Sequence, residues 1–551
     1  MKRLLQLTAA LSLGVMSYQA DAQTPFSTMD FVNINNIKAS VLVHGDMWWD
    51  PVSQASQCFY PATSTKNISF AGALWMSGYD AGSQLHISSQ MYRQNGNDYW
   101  PGPLDASDTL TYATSTDWAK IWKINRTTID TFIGLSTHTV LNTSPSILRW
   151  PGKGNTYAQG NAGASLTITQ DMAPFVDLNS NGIYEPLQGE YPKINGDQAL
   201  WWVFSDNGPT HTESKGKPLG VEIHTMAYAY KRGTLVDNII LYEYSIINKS
   251  PNTYTNFRIG QFADMDLGTY SDDYIGFDSA HRMGYTYNGA AIDGVYGANM
   301  PVAGVTMIVL PGDAYPAYVP AGSFAYFNND TLSPVGNPGI DTEYNNYLRS
   351  KIKTGVHFSN DFTTTGLPTV GYGSGPLTDY VFPGDPTVNT QWSECSSTNT
   401  AGDRRFVITS NDFTLSPGAV QKVVMGLIST PEGLNACGDA GFSLTGIHNL
   451  ADTAWNLFLN PIAPVSVNTP TIDNAISVFP NPGHDKITVH LSGTIDGAAT
   501  VSIYNTMGQL VMHGRDLNAI NTFDVNNLPA GVYYLKYTNK QTQTSISFIK
   551  Q

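Results

Sequence analysis

Charged side chains are scarce in this chain of 551 residues, and cationic ones are the scarcest. Lys and Arg number 29 against 44 Asp and Glu, which leaves a net charge of −15 and a charged fraction of 13%. This balance excludes the clustered cations that bind nucleic acid phosphates. The surplus of acidic groups instead favours solubility and the binding of divalent cations. Beyond residue 15 the chain has no apolar run of membrane-spanning length, which excludes a later transmembrane anchor.

Cysteine is also rare, with Cys58, Cys395 and Cys437 as the three thiols. Three cysteines allow a single disulfide, and the favoured pair is Cys395 with Cys437 because both lie in one region. Cys58 would then be free. The alternative is that all three are simply buried thiols.

Turn-forming and aromatic residues are abundant, with 50 Gly, 31 Pro and 30 Tyr. Low charge combined with many turn formers and aromatics favours β-sandwiches over helical bundles. We therefore predict a mainly β protein with several antiparallel β-sandwich domains and one or a few short helices. An amphipathic helix is predicted at residues 444–459, where apolar residues recur at helical spacing before Pro461.

Composition and motifs divide the chain into five segments. A signal peptide comes first, followed by an N-terminal β-rich domain that ends in a calcium-type loop. A larger β-sandwich domain that ends in the predicted helix follows, and a linker then leads to an Ig-like C-terminal domain. The predicted boundaries are 1–22, 23–197, 198–460, 461–473 and 474–551.

The N-terminus has the three parts of a secretory signal peptide. Lys2 and Arg3 precede the apolar stretch 4–15, and Ala20 and Ala22 offer small residues to a signal peptidase. The apolar stretch is too short to serve as a bilayer anchor. We therefore predict export out of the cytoplasm.

The C-terminal segment alternates apolar and polar residues, as at Ile487, Val489 and Leu491. This period of two predicts strands with one buried face. Breaks at 480–482 and 529–531 contain Pro and Gly, which predict turns. From these residues alone the segment is a small β-sandwich, such as an Ig-like accessory module.

Three motifs of this segment indicate a specific family. They lie at 474–482, 501–511 and 527–535. In this order at the C-terminus they resemble the type A sorting domain of proteins that the type IX secretion system of Bacteroidota exports. The resemblance implies contact with the type IX secretion machinery and with a sortase that removes the domain as a lipopolysaccharide anchor is attached. It also implies an extracellular or outer-membrane surface location after Sec-dependent periplasmic passage. Members of this family often carry a Lys just before the final strand. This chain has no Lys at 542–545 and places its last Lys at 550. The departure bears on the efficiency of export more than on the identity of the domain.

The remainder of the chain carries a second resemblance, to uncharacterised exported proteins of the same phylum. Its motifs are at 73–78, 92–103, 196–202 and 382–386. The resemblance covers most of residues 30–460 and implies a shared fold. It brings no activity with it.

The sharpest local motif is an EF-hand-like or dockerin-like loop that begins at Asp177. Calcium loops place oxygen ligands at alternate positions and use a glycine, here Gly182, for the tight bend. The twelfth position of the loop is Gln188, where an EF-hand has a bidentate Glu. Either Glu190 or Asp197 would therefore complete the coordination shell of the calcium ion. The alternative is an Asx-rich turn without an ion. The expected ligands are Asp177, Asn179, Asn181, the carbonyl of Ile183, Glu185 and Glu190.

A second candidate Ca²⁺ site is a run of five carboxylates within fifteen residues. They repel one another unless a cation or solvent intervenes, and a hard cation would fix the loop. Neighbouring aromatic residues would limit solvation. The alternative is a solvated acidic loop. The residues are Asp264, Asp266, Asp272, Asp273 and Asp278.

Two His/Glu pairs, His211 with Glu213 and Glu222 with His224, are candidates for a transition-metal or hydrolytic site. On a strand, residues two apart share a face, so each pair would point one way. The alternative is that these are structural histidines within the sandwich. No catalytic residue is assigned.

Tryptophans beside carboxylates would suit a glycan-binding or glycosidase cleft. Most of them are expected in the core or in loop packing instead. The candidates are Trp48, Trp49, Trp75, Trp100, Trp201 and Trp202.

Together these features predict a secreted or cell-surface, calcium-stabilised β protein with a structural or binding role. Surface glycans and adhesion are the binding roles considered. The alternative is a secreted hydrolase that acts on polysaccharide or protein, using the carboxylates of 264–278 or the His/Glu pairs.

Overall fold

Segments with alternating apolar and polar residues form strands at many places along the chain. A computed structural model describes residues 27–92, 96–314, 317–362, 370–397, 399–430, 442–462, 476–491, 499–506, 508–514, 517–538 and 543–551. The chain divides into two compact units, Met1–Pro464 and Val465–Gln551. The predicted signal peptide and most of the predicted linker lie outside the described residues.

The first unit contains strands β1–β23 and helices α1–α5. The strands are Met29–Val32, Lys38–Leu42, Trp49–Asp50, Ala55–Ser56, Cys58–Phe59, Asn67–Ser69, Ala71–Tyr79, Leu85–Ser88, Trp100–Pro101, Trp122–Asn125, Phe175–Val176, Tyr191–Pro192, Gln198–Ser205, Val221–Ala229, Ile239–Asn248, Tyr254–Asp264, Asp273–Asp278, Met283–Asn288, Ala303–Val309, Ser323–Asn328, Arg404–Thr409, Phe413–Leu415 and Val420–Ser429. The helices are Tyr112–Trp118, Arg126–Ile133, Pro145–Leu148, Asp341–Tyr347 and Thr445–Leu459.

The larger sheet of this unit has nine antiparallel strands, in the order β10-β13-β14-β15-β23-β19-β18-β17, with β9 beside β13. Both faces of its central strands are buried, so these strands need apolar side chains on both faces. On β13, Trp202 belongs to one apolar cluster and Trp201 to another, as the period of two requires. The sheet is therefore the middle layer of the unit.

The second large sheet has six strands, in the order β20-β21-β16-β7-β8, with β22 beside β16. Its aromatic side chains stack on one another, with ring centroids 5.2 Å apart for Trp75 and Phe262 and 5.8 Å apart for Trp75 and Phe327. Side chains of both large sheets belong to one buried cluster. The two sheets thus form an antiparallel β-sandwich, and the mainly β fold predicted from the sequence is confirmed.

Helix α5 covers the opposite face of the nine-stranded sheet. Its buried side chains include Ile447, Leu450 and Ala454, which share a cluster with Leu241 and Val424 of the sheet. The helix predicted at 444–459 is observed at Thr445–Leu459. Among the described residues, no helix combines the length and the apolar character that a membrane crossing requires.

Strands on either side of residue 197 pair within both large sheets. β7 pairs with β16 over eight residue positions, and β10 pairs with β13. The domain division predicted between 197 and 198 therefore runs through these sheets. Sequence composition does not reveal pairing between distant strands, because each strand carries the same alternating pattern.

The second unit contains strands β24–β30, which are Ile476–Phe479, Lys486–Leu491, Thr500–Asn505, Leu510–Gly514, Ile520–Asp524, Gly531–Thr538 and Gln543–Lys550. They form a three-stranded sheet, β24-β25-β28, and a four-stranded sheet, β27-β26-β29-β30. Ile487, Val489 and Leu491 are buried in one cluster with residues of both sheets. The alternation predicted for this segment is thus confirmed as the inner face of a small sandwich.

The cysteines occupy different environments. Cys395 is disulfide-bonded, and Cys58 is free and buried. Cys437 lies outside the described residues. Burial raises the pKa of the Cys58 thiol, so it stays protonated.

Candidate functional site

The loop after β11 is closed by its own side chains. The Asp177 carboxylate accepts hydrogen bonds from the backbone N–H groups of Gly182 (2.7 Å) and Asn181 (3.3 Å). These bonds, that of Gly182 first, lower the pKa of Asp177. Gly182 has φ +75°, a left-handed conformation that favours glycine. The bend expected at this glycine is therefore present.

Two glutamates close the other side of the same loop. Glu190 is fully buried and accepts from the N–H groups of Leu178 (3.1 Å) and Glu185 (2.8 Å). Glu185 accepts from the side-chain amides of Asn179 (2.9 Å) and Asn181 (2.6 Å). The structure thus brings the side chains of Asp177, Asn179, Asn181, Glu185 and Glu190 into one hydrogen-bonded loop. Ile183 follows in the same loop with its N–H bonded to the Asn181 side chain at 2.7 Å.

The second acidic run is spread over more than one place. Asp264 and Asp266, at the end of β16, gather with Asp403, and their carboxylate oxygens lie within 4.8 Å of one another. Asp403 directly precedes β21, which pairs with β16 so that Asp264 faces Arg405. Antiparallel pairing therefore builds this cluster from two distant parts of the sequence. We call Asp264, Asp266 and Asp403 the aspartate cluster.

The guanidinium of Arg405 and the hydroxyl of Tyr92 contact the aspartate cluster. The Arg405 guanidinium lies 2.8 Å from Asp403 (Nη1 to Oδ1) and 3.3 Å from Asp264 (Nη2 to Oδ2). Its Nε donates to the Tyr92 hydroxyl at 2.5 Å, and that hydroxyl donates to Asp264 Oδ2. Asp264 is 1% exposed, yet its Oδ1 has no hydrogen-bond partner. One carboxylate oxygen is thus buried without compensation.

Burial changes the protonation of this cluster. Desolvation raises the pKa of Asp264 to about 6, although Arg405 opposes the shift. Desolvation and the Asp264 charge raise the pKa of Asp266 well above its usual value. Three carboxylates and one guanidinium would carry a net charge of −2 when fully ionised. A divalent cation would neutralise that charge.

The aspartate cluster opens into a cleft of about 470 Å³. Aromatic residues line it together with the side-chain amides of Asn329 and Asn337. Of these aromatics, Tyr270 is 55% exposed and offers a solvent-facing ring. The cleft thus combines apolar rings, amides, carboxylates and one guanidinium. Its aromatic lining residues are Phe70, Tyr92 and Tyr270.

The other carboxylates of the run lie on β17 and just before it. Asp273 is buried, accepts from the N–H of Leu267 at 2.9 Å, and has a pKa that desolvation raises well above its usual value. Asp272 lies beside it, and desolvation also raises its pKa. Asp278 stands at the far end of β17, about 16 Å along the strand from Asp273 at 3.3 Å per residue. Asp278 therefore lies apart from Asp273.

The first His/Glu pair is buried in packing. Both ring nitrogens of His211 face backbone carbonyls, Nδ1 that of Ile87 (3.0 Å) and Nε2 that of Asp206 (2.7 Å). Glu213 accepts from the Tyr344 hydroxyl at 2.7 Å, and burial raises its pKa to about 8. His211 thus has a structural role, as the alternative reading of this pair predicted.

The second pair lies in another part of the fold. Glu222 is fully buried and accepts from the N–H of Leu104 (2.8 Å) and from Nε2 of His224 (2.7 Å). His224 lines a cleft of about 370 Å³, whereas Glu213 lines a different one of about 430 Å³. Among the described residues the two pairs do not converge on a common site.

The six candidate tryptophans are core residues. Each is at most 5% exposed, so their faces are covered by protein. The exposed ring of the cleft belongs to Tyr270 instead. The sequence also contained no local signal for Asp403, Arg405 and Tyr92 as partners of Asp264, because strand pairing alone brings them there.

Comparison with known families identifies the C-terminal unit. Residues 477–551 match the secretion system C-terminal sorting domain. The resemblance of this segment to a type IX sorting domain is confirmed, and it indicates export to the cell surface or the extracellular space. No curated protein matches the chain.

Three solved structures show distant similarity to the chain. A polysaccharide lyase is 8% identical over 60% of this chain and 34% of its own, with a TM-score of 0.19. PorZ of Porphyromonas gingivalis, an essential surface component of the type IX secretion system, is 11% identical over 95% and 75%, with a TM-score of 0.13. Dimeric latent PorU of the same organism is 10% identical over 64% and 31%, with a TM-score of 0.12. The chain thus spans about a third of the lyase and of PorU, and these TM-scores carry no argument about function.

Proposed function

We propose that this chain, which ends in a type IX sorting domain, is a surface-displayed binding protein that uses calcium in a glycan-binding cleft. The observation that carries the proposal is the aspartate cluster at the base of the cleft. In this proposal, a signal peptide at 1–22 opens the export route. A sortase exchanges the sorting domain for a surface anchor.

Calcium suits the aspartate cluster by charge and by ligand type. Ca²⁺ prefers oxygen ligands, including carboxylates in mono- or bidentate contact. The uncompensated Asp264 Oδ1 is an oxygen that such a cation would satisfy. Asp266 and Asp403 are partly exposed, so a cation there would keep coordination positions open towards the cleft.

A glycan suits the rest of the cleft. Sugar rings present apolar faces that stack on aromatic side chains, and hydroxyls that pair with amides and carboxylates. Tyr270 supplies the exposed ring, and Asn329 and Asn337 supply the amides. Sugar hydroxyls are oxygen ligands and would complete the calcium shell. The ligand class is therefore a polysaccharide with adjacent hydroxyl groups.

The loop from Asp177 to Glu190 is proposed as a second, structural calcium site. Five oxygen-bearing side chains lie along this loop and are linked through backbone N–H groups and side-chain amides, which supports the proposal. A cation in their midst would replace amide contacts to Glu185 by ion contacts. Its role would be to stabilise the loop between β11 and β12.

The test is a polysaccharide screen of the full chain in calcium and in EDTA. We expect binding in calcium, with a loss of about tenfold or more in EDTA and in Asp266→Asn or Tyr270→Ala. Asp171→Asn is the matched control, since Asp171 is a largely exposed carboxylate paired with Lys153 elsewhere. Calcium-independent binding, or equal binding by Asp266→Asn and Asp171→Asn, would overturn the proposal.

A hydrolase is the second candidate, favoured by the convergence of Asp264 and Asp266 with raised pKa values. Adjacent carboxylates with different pKa values can act as acid and base. The same screen decides between the two functions when the bound polysaccharides are analysed for new chain ends. New ends that depend on Asp266 would establish the hydrolase, whereas retained, uncut glycan would support the binding protein.

A further inference from the structure

A cluster of two histidines and one aspartate lies at the other end of β17, away from the cleft. Asp278 ends that strand, His281 follows in the turn to β18, and His448 lies in the first turn of α5. Oδ2 of Asp278 lies 2.6 Å from Nδ1 of His281 and 2.9 Å from Nε2 of His448. The three residues each offer one ligand atom, and these atoms lie within 4.8 Å of one another.

We propose that Asp278, His281 and His448 bind a divalent transition-metal ion, with zinc as the reference ion, which joins α5 to the turn between β17 and β18. Two imidazoles and a carboxylate are the ligand set of Zn²⁺ and its neighbours, whereas Ca²⁺ and Mg²⁺ prefer all-oxygen shells. The chemistry of this cluster therefore differs from that of the aspartate cluster.

The geometry needs little adjustment to hold an ion. Ligand atoms at about 2.1 Å from a tetrahedral zinc are about 3.4 Å apart, so the two short contacts to Asp278 would open by less than about 1 Å. The imidazole rings of His281 and His448 are already nearly parallel, with centroids 4.9 Å apart and an angle of 15°. Small rotations of the side chains would turn these nitrogens towards a common centre.

One ligand atom lacks a hydrogen bond. Nε2 of His448 is buried, and it is close to Asp278 but in a direction that forms no hydrogen bond. A buried imidazole nitrogen without a hydrogen bond is costly, and coordination to an ion would satisfy it. An ion would therefore give this nitrogen a partner in addition to the nearby Asp278 carboxylate.

Neighbouring groups orient the side chains of Asp278 and His281, as is common in metal sites. Oδ1 of Asp278 accepts from the N–H groups of Ala280 (2.8 Å) and His281 (3.2 Å), which fixes the carboxylate. Nε2 of His281 lies 3.4 Å from Oδ1 of Asp452, so the ring nitrogen away from the ion faces a carboxylate. This arrangement orients metal-bound histidines and raises their basicity. Asp452 lies one helical turn after His448, so α5 would supply both groups.

An ion could reach the cluster from solvent. The side chains of His281 and His448 are 21% and 34% exposed. With three protein ligands, the fourth position would be left to water or to an external ligand. The ion would add a link between α5 and the sheet beyond their apolar contact.

The test is zinc titration of the full chain after chelation, in the presence of calcium so that all-oxygen sites are occupied. We expect one zinc ion per chain, with affinity reduced about tenfold or more in His281→Gln and in His448→Gln. The matched control is His357→Gln, because His357 also lies near a carboxylate, Asp379, but outside the cluster. The control should bind zinc as the unmodified chain does.

A second measurement does not depend on the variants folding. Cobalt added to the unmodified chain should give visible absorption typical of imidazole ligation, and zinc should remove it. Absence of that absorption would overturn the proposal. Zinc affinity that is the same in both cluster variants and the control would also overturn it, since the bound ion would then lie elsewhere. These results are independent of glycan binding.

Discussion

The two carboxylate oxygens of Asp264, at the end of β16, lie in opposite environments. One oxygen is held by Tyr92 and lies near Arg405, while the other is buried without a partner. Desolvation therefore favours the protonated form, even though a guanidinium is 3.3 Å away. A proton or a divalent cation would each relieve this site, and the two would compete for it.

We predict that calcium stabilises the protein more at pH about 7.5 than at pH about 5. The folded pKa of Asp264 is raised to about 6, against about 3.9 in an unfolded chain. In the metal-free protein its contribution to stability is therefore complete below pH about 4 and is lost as pH rises through about 6. Above that pH Asp264 is ionised, and we expect bound calcium to replace the stabilisation that the proton gave. Melting temperatures in calcium and in EDTA at both pH values measure the difference.

Variants separate the two proposed calcium sites in this experiment. Asp266→Asn should lose the pH-dependent part of the calcium effect, because it removes a ligand of the aspartate cluster. Glu190→Gln alters the other loop and should keep that part. A melting temperature that EDTA leaves unchanged at both pH values would contradict calcium stabilisation altogether.

Single residues differ in how far the sequence revealed them. The acidic run and the loop at Asp177 are visible as local patterns, so they were proposed as cation sites. Arg405 and Tyr92 carry no such pattern, because one lies in an ordinary strand and the other in an aromatic loop. Their role as partners of Asp264 depends on which strands pair.

At the scale of elements, α5 shows how periodicity predicts packing. Its apolar residues recur every three or four positions, and the structure buries that stripe against the nine-stranded sheet. His448 and Asp452 fall beside the stripe and reach His281 and Asp278. The sequence therefore predicted the helix and its apolar face, but not the polar contact that it makes.

We predict that Leu450→Ala lowers the free energy of unfolding by about 2–5 kcal/mol, because it leaves a cavity between α5 and the sheet. Leu450 is fully buried. Asn456→Ala, on the exposed side of the same helix, should change it by no more than about 0.5 kcal/mol. Urea unfolding at fixed calcium and zinc measures both. Equal effects of the two substitutions would show that α5 is not docked as described.

At the scale of the whole molecule, the chain has separate cores for its two units. Among the described residues, the core of the sorting unit is built from residues from 476 onwards, and the sandwich core lies before residue 464. A unit with its own core can fold without the other. Routing and binding can therefore be tested separately.

We predict that deletion of residues 477–551 prevents export while leaving the sandwich folded. The truncated chain should accumulate in the periplasm and be absent from the cell surface and the medium, because it lacks the sorting domain. Fractionation of cells with a type IX system measures this against the full chain. Near-UV circular dichroism and calcium-dependent melting of the truncated chain should show an intact sandwich. Surface display of the truncated chain would contradict the routing role.

The sequence by itself determined the sorting domain, the mainly β class and the amphipathic helix, because motifs and periodicity are local properties of the chain. Tertiary structure decided which strands share a sheet, and so placed Asp403 and Arg405 beside Asp264 and His448 beside Asp278. The physical reason is that many strands carry the same alternation of apolar and polar residues. Their partners are selected by packing of the whole core, which no local pattern encodes.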